Sequence, residues 1–136
     1  MRKLLTTFLM LSVMLFPAGC CGSCPDRPSP SARVVTRITI ACADEVRTFE
    51  SEESMKAILA YLRNLTPLNL AESAPTQGCL YRITLLYSDG SRREYSQQDR
   101  FFREGNGKWK SISEQNSLAL SKLYDLLEPE STLSAT

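Results

Sequence analysis

Residues 34–42 alternate, with Val34, Thr36, Ile38 and Ile40 on one side and mostly β-branched or small residues on the other, which predicts a strand. Val46–Phe49 is a short partner across Ala43-Asp44-Glu45. The period then lengthens. Met55, Ile58, Leu59 and Leu62 recur at i, i+3, i+4 and i+7 and predict a helix with one apolar face. Ser51 is its N-cap, and Glu52 and Glu53 lie in the first turn, where the helix dipole favours negative charge. Asn64 is expected to close the helix in the left-handed conformation, and Pro67 blocks its continuation.

Alternation resumes at Leu80–Tyr87, with Tyr81, Ile83, Leu85 and Tyr87 on one face. Ser88-Asp89-Gly90 turns the chain into Ser91–Gln97. A three-residue loop with Gly90 in a bulge pairs Ile83 with Tyr95 and Thr84 with Glu94, whereas a two-residue turn sets Leu85 against Glu94. A second hairpin places Phe101 and Phe102 before Gly105-Asn106-Gly107 and Trp109 and Ile112 after it. A last helix over 114–128 carries Leu120, Leu123, Tyr124 and Leu127 on one stripe and stops at Pro129. The order ββαβββ(β)α predicts a single α+β domain over 34–128, a mostly antiparallel sheet of about five strands with two helices packed on one face. The Ser/Thr-rich residues 129–136 read as a flexible tail.

The first 33 residues follow another pattern. Arg2 and Lys3 precede an uncharged run of 13 residues, Leu4–Phe16. A bilayer core of about 30 Å needs roughly 20 helical residues, so the run has the length of a signal-peptide core instead. Pro17 ends it, and the small Ala18 and Gly19 precede Cys20. The stretch Phe16-Pro17-Ala18-Gly19-Cys20 resembles the lipobox of bacterial lipoproteins, with Pro17 where leucine is usual. The resemblance covers the leader alone. It implies removal of residues 1–19, a diacylglycerol thioether on Cys20, and an exported protein anchored on the extracytoplasmic side of a membrane. Residues 20–33, rich in Pro, Ser and Gly, then read as a spacer.

Five cysteines are an odd number for an exported chain, and lipidating Cys20 leaves four that can pair completely. Of three possible connectivities, Cys42–Cys79 within the domain and Cys21–Cys24 beside the anchor are preferred. A right-handed crossover through the first helix would set the strand at Leu80 antiparallel to Val34–Cys42, bringing Cys42 and Cys79 to one end of the sheet. Cys21-Gly22-Ser23-Cys24 also has the spacing of a redox motif, but Pro25, Pro28 and Pro30 prevent the helix that would lower the first thiol's pKa.

Histidine is absent, which excludes Ser-His-Asp and Cys-His sites. No phosphate-binding or dinucleotide glycine motif occurs. No catalytic residue, metal or cofactor is called for. Without Arg2 and Lys3, fourteen basic groups face fifteen acidic ones, a balance of −1 that argues against a nucleic-acid binder. The charge is uneven, however. Residues 80–110 hold seven basic and four acidic groups, with arginines interleaved among Tyr81, Tyr87, Tyr95, Phe101, Phe102 and Trp109. Arginine and aromatic residues together suit a binding face, for which Arg92, Arg93, Arg103, Trp109 and Lys110 are the candidates. The plainer alternative turns the aromatics to the helices as core and the arginines to solvent. The expected function is a non-catalytic binding or accessory module touching an envelope protein or glycan. The competing expectations are an inhibitor or immunity-type protein, and a small histidine-free enzyme.

Overall fold

The computed structural model describes residues 33–134. Seven strands and two helices follow in the order β1 (Val35–Cys42), β2 (Glu45–Phe49), α1 (Glu52–Asn64), β3 (Leu80–Tyr87), β4 (Arg92–Gln98), β5 (Phe101–Glu104), β6 (Lys110–Ser111), α2 (Glu114–Leu126) and β7 (Ser131–Ser134). The strands form one antiparallel sheet, ordered β6-β5-β4-β3-β1-β2-β7. The class is α+β as predicted, with seven strands where about five were expected.

The core follows from the alternation. Ile38 and Ile40 lie opposite Leu85 and Ile83 across the β1–β3 ladder. These four are buried with Phe49, with Ile58 of α1 and with Leu120 and Tyr124 of α2, so both helices cover one face of the sheet. Each such side chain, fully buried, is worth about 1.5–3 kcal/mol. A second cluster of Leu65, Phe102 and Ile112 carries the core toward β5. The turn at Gly90 takes the expected form: its φ is +82°, and Ile83 and Thr84 face Tyr95 and Glu94. Ser51 caps α1, its hydroxyl accepting the Ser54 N–H at 3.3 Å. Ser113 does the same for α2 through the Asn116 N–H at 3.1 Å. Cys42 and Cys79 form a disulfide with their Cα atoms 6.3 Å apart. The leader, Cys20, Cys21 and Cys24 lie outside the described residues.

Four local expectations are corrected. Val34 does not join the core row; it is 60% exposed. A bulge between Val35 and Arg37 inserts Thr36 into the ladder with β3. An extra residue reverses the side-chain alternation, so Val35 takes the core side in its place. Asn64 is not left-handed. The helix passes directly into extended backbone at Leu65, with φ −70° and ψ 120°, because Leu65 is buried against Phe102 and Ile112 and Pro67 disfavours helical backbone at the residue before it. For the same reason α2 ends at Leu126 rather than Glu128, ahead of Pro129. Finally, residues 131–134 are not a loose tail: they pair with β2 as β7, although none of the four is buried.

Candidate functional site

Because Ile83 and Leu85 turn to the helices, their neighbours Arg82, Thr84 and Leu86 turn the other way. Strand pairing extends this alternation into three rows on the face opposite the helices. The first runs Ala41–Arg82–Ser96–Arg103 from β1 to β5, the second Thr39–Thr84–Glu94 and the third Arg37–Leu86–Arg92. Successive rows stand two residues apart, about 7 Å along the strands, and neighbouring strands are about 4.8 Å apart. Neither helix crosses this face, since both pack on the other.

Two grooves meet on it. One of about 230 Å³ is bordered by Arg82, Thr84, Glu94, Ser96, Arg103 and Asn106 among others. The second, about 140 Å³, is bordered by Arg37, Thr39, Thr84, Leu86 and Arg92. They share Thr84. A larger hollow adjoins the first row, bordered by Ala41, Arg82, Gly78 and Cys79 among others, and another lies between the start of α1 and residues 126–130.

The face is unevenly charge-matched. Arg37 pairs with Glu50 at 2.6 Å. Among the described residues, Arg82, Arg92, Arg103 and Glu94 have no ionic partner within 4 Å. The Arg103 guanidinium lies 4.6 Å over the Trp109 ring, and its Nε is shielded from water with no hydrogen-bond partner. Arg47 shows the contrast. It pairs with Glu45, stacks 3.9 Å over Tyr124 and donates to the Tyr124 carbonyl oxygen at 2.6 Å, which is a locking role within the fold.

The five residues singled out in the sequence do not share a face. Arg92 and Arg103 stand on the open face, with Trp109 under Arg103. Arg93 lies opposite Leu85 on the helix side, where it pairs with Glu104 at 3.3 Å. A hydrogen bond with Tyr95 and the charge of Glu104 hold its guanidinium above the usual value. Lys110 lies opposite Phe102, again on the helix side and exposed. Arg82, Thr84 and Glu94 belong to the face and were not among the candidates. The signal was available, because the alternation that sends Tyr81, Ile83, Leu85 and Tyr87 inward sends Arg82, Thr84 and Leu86 outward. Tyr81, Tyr87 and Tyr95 do pack against the core, as the plainer alternative had it.

No family model, no curated protein and no solved structure matches this chain. Among the described residues no group of three Cys, Asp or Glu side chains is placed to hold a metal ion, and no helix is long and apolar enough to cross a membrane.

Proposed function

We propose that the chain is exported, lipidated at Cys20 and held at the extracytoplasmic membrane surface, where its domain is a non-catalytic module docking an envelope partner on the open face of the sheet. The observation that supports the docking face is the set of three arginines, Arg82, Arg92 and Arg103, without ionic partners among the described residues on a face that neither α1 nor α2 covers. Arginine is over-represented where protein interfaces concentrate their binding energy, because its planar fork makes paired hydrogen bonds and stacks on aromatic rings. The support for the anchor is the leader pattern ending at Cys20.

A photo-reactive residue replacing Thr84, in the middle of the face, is expected to capture a partner in intact membranes. The same residue replacing Lys122, exposed on α2, captures none. Combining Arg82→Ala, Arg92→Ala and Arg103→Ala reduces capture at least tenfold. Equal capture from both positions, or indifference to the triple substitution, overturns the docking face. The intact mass of the membrane-extracted protein tests the anchor separately: residues 20–136 plus a diacylglycerol thioether are expected, and a mass without lipid removes that part of the proposal.

A further inference from the structure

The open face is striped by charge. Its first row carries Arg82 and Arg103, its second Glu94 and its third Arg92 with the paired Arg37. Running along the strands the order is positive, negative, positive. Each step is about 7 Å and the two positive rows are about 13 Å apart, from the rise of about 3.3 Å per residue. An extended peptide has the same rise. One laid along the strands therefore brings its residues i, i+2 and i+4 over the three rows in turn.

Resting on the docking face already proposed, we infer that its occupant is an extended acidic segment of a protein partner with acidic residues at i and i+4 and a basic residue at i+2. The carboxylates at i and i+4 meet arginines that have no ionic partner within the domain, and the basic residue meets Glu94, which has none either. Guanidinium forks bind carboxylates through two parallel N–H···O bonds. The Trp109 ring holds the Arg103 guanidinium from one side, which lowers the entropy lost when a carboxylate binds it. The first row is the stronger end. Among the described residues Arg82 and Arg103 have no ionic partner, whereas in the third row Glu50 already takes Arg37.

An anionic glycan suits the face less well. Sugar rings bind best over open aromatic rings, and here Tyr81, Tyr87, Tyr95 and Phe102 pack against the core. Trp109 carries Arg103, and Phe101 borders a hollow with residues 73–77. What remains between the arginines is Thr39, Thr84, Ser96 and Leu86, which line the two grooves.

The test titrates the full chain, in neutral detergent, against four labelled probes. The first is the peptide Ser-Glu-Thr-Lys-Thr-Glu-Ser, the second its charge-reversed form, the third the same composition with both glutamates adjacent, and the fourth polygalacturonate. The first is expected to bind at least tenfold tighter than the others and to weaken as salt rises. Combined Arg82→Ala and Arg103→Ala costs it at least tenfold, and Arg92→Ala costs less. Glu94→Lys separates charge reading from general attraction: the parent should prefer the first peptide to Ser-Glu-Thr-Glu-Thr-Glu-Ser, and Glu94→Lys should reverse that ranking. Equal binding of the adjacent-glutamate peptide, or an unchanged ranking in Glu94→Lys, overturns the inference. Polygalacturonate binding tightest overturns the peptide class. If capture at Thr84 succeeds while no probe is discriminated, this inference falls and the docking face stands; if capture fails as well, both fall.

Discussion

Gln97 occupies a position where the alternation of β4 wants an apolar side chain. It lies opposite Tyr81 and Phe102 on the helix side of the sheet and is 2% exposed. Its Oε1 accepts from the Tyr61 hydroxyl of α1, and its Nε2 donates to the Ser117 carbonyl oxygen of α2 at 3.2 Å. The amide thus ties each helix to the sheet through a directional contact, and burial holds the Tyr61 hydroxyl protonated by raising its pKa. Tyr61→Phe strands the Gln97 oxygen away from water and should cost about 1–3 kcal/mol, read from urea unfolding. Replacing both, Tyr61→Phe with Gln97→Leu, should cost less than the two single changes together by about 1 kcal/mol, because no oxygen is then stranded for want of the other. Strict additivity would mean that the two side chains do not interact. Nothing in the sequence announces Gln97, since a buried amide and a solvent-facing one are written alike. The opposite sides taken by Arg92 and Arg93 were legible, because adjacent strand residues must point apart.

Whole elements were easiest to read where they bury something. The Ile83–Tyr95 register could be derived because one choice set apolar against apolar and the other did not. The bulge at Thr36 left no such mark: Val34 and Val35 are adjacent, so either could face the core, and only pairing with Tyr87 selects Val35. β7 was missed because Ser131–Ser134 buries no residue and is held by its ladder to β2. Its entry is fixed by Glu130, whose N–H donates to the Thr48 carbonyl oxygen at 2.9 Å. The Glu130 carboxylate accepts the Glu50 and Ser51 N–H groups, at 2.8 and 2.7 Å, just ahead of α1. These bonds, the one from Glu50 foremost, hold its pKa below the ordinary 4.5. A carboxyl with a lowered folded-state pKa contributes stability that is complete above its unfolded value and is lost as pH falls through the folded one. Glu130→Gln should therefore be less stable than the parent at neutral pH, with the gap closing as the pH is lowered progressively below 4.5. Urea midpoints across that range measure it. A gap that persists unchanged at the lowest pH would show that Gln disturbs packing instead of removing a charge.

At the scale of the molecule, the central ladder joins segments far apart in the chain, and the disulfide stands at its end. β1 and β3 pair from Val35 opposite Tyr87 to Cys42 opposite Tyr81, and Cys42 and Cys79 are separated by 37 residues. Closing a loop of that length in the unfolded chain removes entropy worth about 4 kcal/mol on the chain-entropy model. The same closure brings the start of β3 to the end of β1 before any core contact has formed, so the costly search for a distant strand is shortened. The double substitution Cys42→Ser with Cys79→Ser should accordingly lose about 4 kcal/mol of stability. With the loop closed as β1 and β3 first pair in the transition state, most of that loss should fall on the folding rate, with the unfolding rate little changed. Stopped-flow folding and unfolding in urea separate the two. A loss carried mainly by faster unfolding would place the pairing of β1 with β3 after the folding transition state. In either case the variant, once folded, should keep the striped face, whose rows rest on the β1–β3 ladder, and bind the acidic probe with undiminished affinity. A weakened affinity would show that the face depends on the bond itself.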